Sequence, residues 1–205
     1  DNEAQQPRTK NTLYDTGLNV PLVMRWPGMI KPETVNRELV TTLDILPTLF
    51  TAAGTSPPEN LEGKSLLKIL NGEKSKLHSE LYFSYTAVTV GNSDWKRVKT
   101  PYPVRAVRNK QYKYIRNLNH EIPHPKYHWE KPYEELYDIQ KDPRERNNLA
   151  DMDQFQSVKK ELSAKMDAWM QRIGDDGIQE EIRALEKYPP RWVDKEKYLQ
   201  HKKNN

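Results

Sequence analysis

The stretch DNEAQQPRTKNTLYDTGLNVPLVMRWPG, residues 1–28, decides how the rest of the chain is read. Asp1 and Asn2 read as a strand end, Lys10 is expected in a short polar loop, and residues 20–26, VPLVMRW, are an apolar run rich in β-formers that stops at Pro27-Gly28. A short apolar run closed by a turn reads as a buried strand. Such a strand needs neighbours for its backbone groups. Within this chain it is therefore expected to be exposed, refolded or covered by a partner.

Downstream, Leu43, Leu46, Leu49, Phe50 and Ala53 recur at helical spacing. Asp44 is the expected N-cap, Pro47 falls in the first turn where its missing N–H costs little, and Gly54 supplies a left-handed C-cap before Pro57-Pro58. Residues 63–70, GKSLLKIL, predict a second short helix ended by Asn71-Gly72. The texture then changes. Residues 80–90, ELYFSYTAVTV, are aromatic and β-branched, and 103–108 (PVRAVR) and 112–118 (YKYIRNL) alternate about a tight Asn109–Gln111 connection. This predicts an antiparallel hairpin, with Glu135–Ile139 as a further strand. The intervening run from Asn119, with its histidines and prolines, is expected to be loop. Phe155, Val158, Leu162, Met166, Trp169 and Ile173 make one apolar helical stripe, capped by Asp151 or Asp153 and closed by Gly174. From Asp175 the chain is charged and reads as a peripheral arm.

The fold class expected is α/β plus α+β. Residues 1–75 form the last strand and helix of a larger α/β domain, 76–174 a small antiparallel sheet packed by a long amphipathic helix, and 175–205 a charged extension. Composition agrees. The hydrophobic fraction is 35% without glycine and the charged fraction 30%; even with glycine added the former stays below the roughly 45–50% of ordinary domains, so the apolar faces suit a piece that packs against something else. The net charge of +4 comes from interspersed signs, which argues against a nucleic-acid stripe. Without cysteine there is no disulfide framework or thiolate metal site. No run approaches the roughly 18 apolar residues of a membrane span.

Asp1 and Asn2 are adjacent hard oxygen donors of the kind Ca²⁺ takes; on their own they read equally as solvated surface, as Lys10 reads as a surface lysine. His120, His124 and His128 are spaced by four, but Pro123 and Pro125 exclude the helix that would turn them into a metal pair. Arg105 and Arg108 alternate with Val104 and Val107 and read most simply as a solvated strand face, Arg105 alternatively pointing at an anion.

Taken in order, Asp1-Asn2, Lys10 before Thr-Leu-Tyr-Asp, Pro21-Leu22 and Arg25-Trp26-Pro27-Gly28 resemble the second half of the active site of formylglycine-dependent sulfatases, with their alkaline-phosphatase-like fold. LVTTLDILPTLFTAAG resembles the helix that follows, PYPVRAVRNKQYKYIRN the C-terminal hairpin, and ELYDIQKDPRERNNLAD the segment typical of that family. The short spacing to Lys10 and the sequence RNLNHEIPHP are most similar to the heparan N-sulfatase branch; TAVTVGNSDWKRVK, which lacks that branch's histidines, departs from it and leaves an O-sulfatase open. The resemblance implies that Asp1 and Asn2 are Ca²⁺ ligands and that Lys10 contacts the sulfate; Arg105, and His120 or His124 in a substrate-edge loop, are the candidates for contact with the sugar. It also implies that the formylglycine nucleophile and the other ligands belong to an upstream segment or a second chain, so that this chain alone is expected to be inactive. The implied partner is a sulfated sugar, neither nucleic acid nor membrane, and the implied compartment is the bacterial periplasm or exterior. A non-catalytic accessory module that binds anionic sugars is the alternative. The absence of an Asn-x-Ser/Thr sequon disfavours a lysosomal origin.

Overall fold

The computed structural model describes residues 8–9, 12–93, 96–118, 132–179 and 183, with the backbone alone over 87–93 and 96–102. Its centre is an antiparallel sheet of four strands in the order β1-β2-β3-β4: β1 Leu81–Ser93, β2 Lys96–Arg108, β3 Tyr112–Asn117 and β4 Glu134–Asp138. Alternation in the sequence places side chains on opposite faces, and the register pairs Ala106 with Ile115 and Ile115 with Glu135. One face carries Val104, Ala106, Ile115 and Tyr137 and is covered by Leu13 and Tyr14. The other carries Val107, Tyr114 and Leu136 and is covered by Leu162, Met166 and Met170 of α4, Gln156–Ile173. Met166 is fully buried, worth about 1.5–3 kcal/mol of hydrophobic stabilisation. The helix stops where Gly174 turns left-handed, at φ 70°. Its N-terminus differs from the sequence expectation. Neither Asp151 nor Asp153 caps it by side chain; a 3₁₀ turn, Asp153–Phe155, leads in instead.

The sheet carries an electrostatic conflict. Arg105 lies opposite Arg116, and Arg108 opposite Lys113; like charges at directly paired positions destabilise a sheet. Acids from both flanking layers resolve it. Asp175 binds Arg105 and Asp167 binds Arg116 (Nη1 to Oδ1, 2.6 Å) on the α4 side. On the opposite side Asp15 accepts from Arg108 (2.8 Å to Oδ2) and from Lys113.

The remaining elements are α1, Asp15–Leu18, and a smaller cluster built around α2, Ile45–Ala52, and α3, Leu67–Leu70. Leu66, Ile69 and Leu77 form its core, with Met24, Val40 and Leu70 packed on them. Asp44, fully buried, holds the cluster together: its carboxylate accepts from the amides of Thr41 and Lys64, both at 2.8 Å, and from His78 Nε2 at 2.9 Å. Thr41 and Asp44 form a capping box about the 3₁₀ turn Thr42–Asp44. Asp44 is thus the inner member of that box and not a simple N-cap. Gly54 ends α2 at φ 75°, as expected.

Residues 20–26 form no ladder with any described residue; they run extended and unpaired, with Val23 89% exposed and Val20 and Leu22 exposed beside it. Leu43, Leu46 and Leu49 are open as well. The apolar stripe of α2 therefore faces away from its own small core, and its buried face is made of Pro47 and Thr48.

Candidate functional site

Residues 8–9 and 12–18, which flank Lys10 in the sequence, supply the cover of one sheet face. Apolar contact accounts for part of their attachment, through Leu13, Tyr14 and Leu18; buried polar groups account for the rest. Arg8 adopts a left-handed φ of 68°, a conformation that costs a non-glycine residue about 1–2 kcal/mol. Its guanidinium lies 3.8 Å from the centroid of the Tyr14 ring and 5.6 Å from that of Tyr137, and it donates to the Tyr137 hydroxyl and the Glu145 carbonyl. Thr12 Oγ1 donates to the Thr9 carbonyl at 2.7 Å, and Thr16 Oγ1 donates to the Arg8 carbonyl. Gly17 is required here: a β-carbon on it would collide with the carbonyls of Thr9 and Thr12. The backbone on both sides of residues 10–11 is consequently fixed.

Beneath this segment lie two buried carboxylates. Glu135, on β4, accepts from the Tyr14 hydroxyl (2.7 Å), the Tyr137 hydroxyl (2.5 Å) and Asn117 Nδ2 (2.7 Å). Burial, together with the Glu135 charge, holds both phenols well above their ordinary range, so they remain neutral donors. Glu145 accepts from the Asp15 amide (2.6 Å) and lies 2.8 Å from Lys113 Nζ. Burial raises its carboxyl above the usual range despite that ammonium. The sequence ELYDIQKDPRERNNLA builds this corner locally. Asp142 Oδ2 accepts from the amides of Arg146 and Asn147, and Asn148 Oδ1 from those of Leu136 and Ala150. These bonds shape the turn in which Glu145 takes φ 52°.

Of the residues singled out from sequence, Asp1, Asn2, Lys10, His120 and His124 lie outside the described residues. Arg105 is described, and its environment corrects the solvated-face expectation. It is 1% exposed, and its Nε and Nη2 both donate to Asp175, the latter at 3.0 Å; Nη1 donates to the carbonyls of Val104 and Tyr85. Asp175, expected in a peripheral arm, is instead docked, and its carboxyl is held below the ordinary range because the Arg105 and Gly177 hydrogen bonds outweigh its burial. Sequence reasoning passed over Arg8, Tyr14, Asn117 and Glu135. The available signal was that Glu135 falls on the apolar parity of its strand, with Tyr137 and Ile139; Asn117 shares its parity with both Ile115 and Lys113 and carried no such mark. Among the described residues no group of three or more His, Cys, Asp or Glu is arranged to hold a metal ion.

The sheet, its α4 layer and the seated 12–15 segment share their fold with part of the phosphonate monoester hydrolase from Silicibacter pomeroyi. That structure superposes with a TM-score of 0.58 at 22% identity, over 80% of this chain and 31% of that one. Residues 8–172 match the family described as N-sulphoglucosamine sulphohydrolase, C-terminal, and the chain belongs to that family. An ulvan-active sulfatase of Formosa agariphila is 37% identical over 183 residues, 81% of this chain and 36% of the relative. A Delta 4,5-hexuronate-2-O-sulfatase of Bacteroides thetaiotaomicron is 36% identical over 167 residues, 80% of this chain and 31% of the relative. The chain thus spans about a third of the length of the curated relatives it matches.

Proposed function

We propose that this chain contributes to a bacterial sulfatase, periplasmic or secreted, that hydrolyses sulfate groups on glycosaminoglycan-type sugars. The observation that carries the reading is the family match across residues 8–172, which takes in Lys10 and, after it in the sequence, the Thr12–Asp15 segment seated on the sheet. A sulfate ester ester-linked to sugar gathers negative charge on its bridging oxygen as the S–O bond breaks, and a preorganised cation stabilises that charge where it develops. Lys10 is assigned to the sulfate as a point charge. Asp1 and Asn2 offer a carboxylate and an amide oxygen, a donor chemistry that fits Ca²⁺, and would hold that ion together with upstream ligands; the bound ion supplies charge neutralisation at the sulfate. The nucleophile is assigned to a formylglycine in the upstream segment. His120 and His124 are assigned to the sugar edge. Arg105 is left out of the substrate set because its guanidinium is already enclosed by Asp175.

An ester is the favoured bond, since the hexuronate relative is named for a 2-O-sulfate and residues 86–99 contain no histidine. A glucosamine sulfamate is the second reading, supported by the family description. The test sets the intact mass of the polypeptide from its native source beside sulfate release from an aryl sulfate, a 2-O-sulfated unsaturated uronide and N-sulfoglucosamine, with Ca²⁺ present. Turnover that falls by roughly 10²–10³ on Lys10→Ala, the scale of losing one preorganised charge-stabilising group, supports the assignment. No release from any of these by the native polypeptide refutes it and leaves an accessory module that binds anionic sugars.

A further inference from the structure

We propose that the α2–α3 cluster and the four-stranded sheet are two bodies that meet across a joint closed by charge, and that the joint opens as ionic strength rises. The two bodies do not share a core. Leu66, Ile69 and Leu77, with Met24, Val40 and Leu70, form one apolar cluster, while the clusters on the two sheet faces take their members from residues 13–18 and from 82 onward. Among the described residues no backbone hydrogen bond joins 24–78 to the sheet or to α4. The chain itself crosses twice, once between Leu18 and Met24 and once between Leu77 and Tyr82. The side-chain bonds that cross are ionic. Lys110 binds Glu38 at 2.6 Å, Arg172 binds Glu62 at 2.9 Å, and Lys165 binds Glu80, the residue just ahead of β1. In each pair the cation belongs to the sheet body and the acid to the cluster or its link, so the contact has one polarity throughout.

These pairs are open to salt. The more enclosed partner still exposes 19% of its side chain in Lys165–Glu80, 24% in Lys110–Glu38 and 54% in Arg172–Glu62. Ion pairs so exposed contribute little each and are screened by counterions. The fit also carries a cost: Glu38 Oε2 is buried with no hydrogen-bond partner. The N-terminal cover of the sheet is held differently, by bonds to the buried carboxylates of Glu135 and Glu145, which such screening reaches far less. A contact without a shared apolar core permits relative motion. The connecting residues, 19–23 and 78–80, belong to no helix or strand, the usual place for a hinge.

The chain contains no cysteine, so introduced cysteines take spin labels at chosen places alone. Lys68→Cys on α3 with Ala164→Cys on α4 spans the joint. Lys141→Cys with Ala164→Cys stays within the sheet body as a control, and all three positions are exposed. Double electron–electron resonance on the native polypeptide follows both distances from about 0.01 M to about 1 M NaCl, across which the Debye length shortens from ~30 Å to ~3 Å. The joint-spanning distance is expected to be a single narrow population at low salt and to give way at high salt to a longer, broader one, while the control does not change. Glu38→Gln, Glu62→Gln and Glu80→Gln combined, which keep shape and remove the acids, should give the high-salt distribution already at low salt. A joint-spanning distance that stays narrow at high salt and in the triple variant overturns the proposal. So does a control that broadens equally, since the whole chain would then be loosening.

Discussion

Asp175→Asn isolates the ion pair that joins the end of α4 to the sheet. The side chains of Arg105 and Asp175 are 1% and 5% exposed. Removing one partner of such a pair costs about 3–5 kcal/mol because the other charge stays buried and uncompensated. Asparagine can keep neutral hydrogen bonds to Arg105 and to the Gly177 amide, which Asp175 Oδ1 accepts at 2.8 Å, so the loss should sit near the lower end, about 3 kcal/mol. For a chain of this size that corresponds to a fall in Tm of roughly 6–12 °C. Urea denaturation at neutral pH measures it directly. The pH dependence has a definite sign. The folded carboxyl of Asp175 lies below its ordinary value, so the charged pair contributes fully above the unfolded pKa of about 3.9. That contribution is lost as pH falls through the folded value. The gap between the native protein and Asp175→Asn should therefore be complete at pH 7 and close progressively in acid. A gap under about 1 kcal/mol at pH 7, or one that persists unchanged into acid, would refute the assignment of a buried charged pair. Arg105→Met combined with Asp175→Leu should recover most of the loss, since it removes both charges together.

Gly63→Ala should be among the most damaging single-methyl changes in the chain: the added carbon would collide with the Leu43 carbonyl and approach the Asp44 amide to 2.9 Å, both backbone atoms. A loss of about 1–3 kcal/mol or more is expected by urea titration, whereas a neutral result would mean that the 43–44 backbone can yield. Val23→Thr and Leu49→Gln act on exposed positions and should change the stability of this chain by no more than about 0.5 kcal/mol, with improved solubility as the second readout. A loss of several kcal/mol from either would show that these side chains are buried in the folded state.

Much of the architecture was legible because it rests on local pattern. The alternation in 103–108 and 112–118, joined by Asn109–Gln111, gave the β2–β3 hairpin, and the three-four spacing from Phe155 gave α4, where Met170 replaces Ile173 as the last deeply buried residue. What failed depended on distant residues. Parity in a strand shows which residues share a face but not what covers that face. Arg105 therefore read as solvated, although a carboxylate 70 residues away in sequence encloses it. The same limit hid Glu135, whose partners Tyr14 and Asn117 come from a separate segment and a neighbouring strand. The run 20–26 shows the converse. Its composition correctly marks a segment suited to burial, but a strand is a relation between segments, and among the described residues none pairs with it.

The facing cations of β2 and β3 bear on how the layers of this chain are held together. Arg105 against Arg116 and Arg108 against Lys113 make the central hairpin self-repelling when taken alone. Asp15 and Glu145 on one side, Asp167 and Asp175 on the other, and Glu134 across from Arg116 on β4 offset the repulsion. The sheet, its N-terminal cover and the residues that follow α4 are thereby tied to one another by charge on both faces, so that loosening either layer exposes a facing pair of cations.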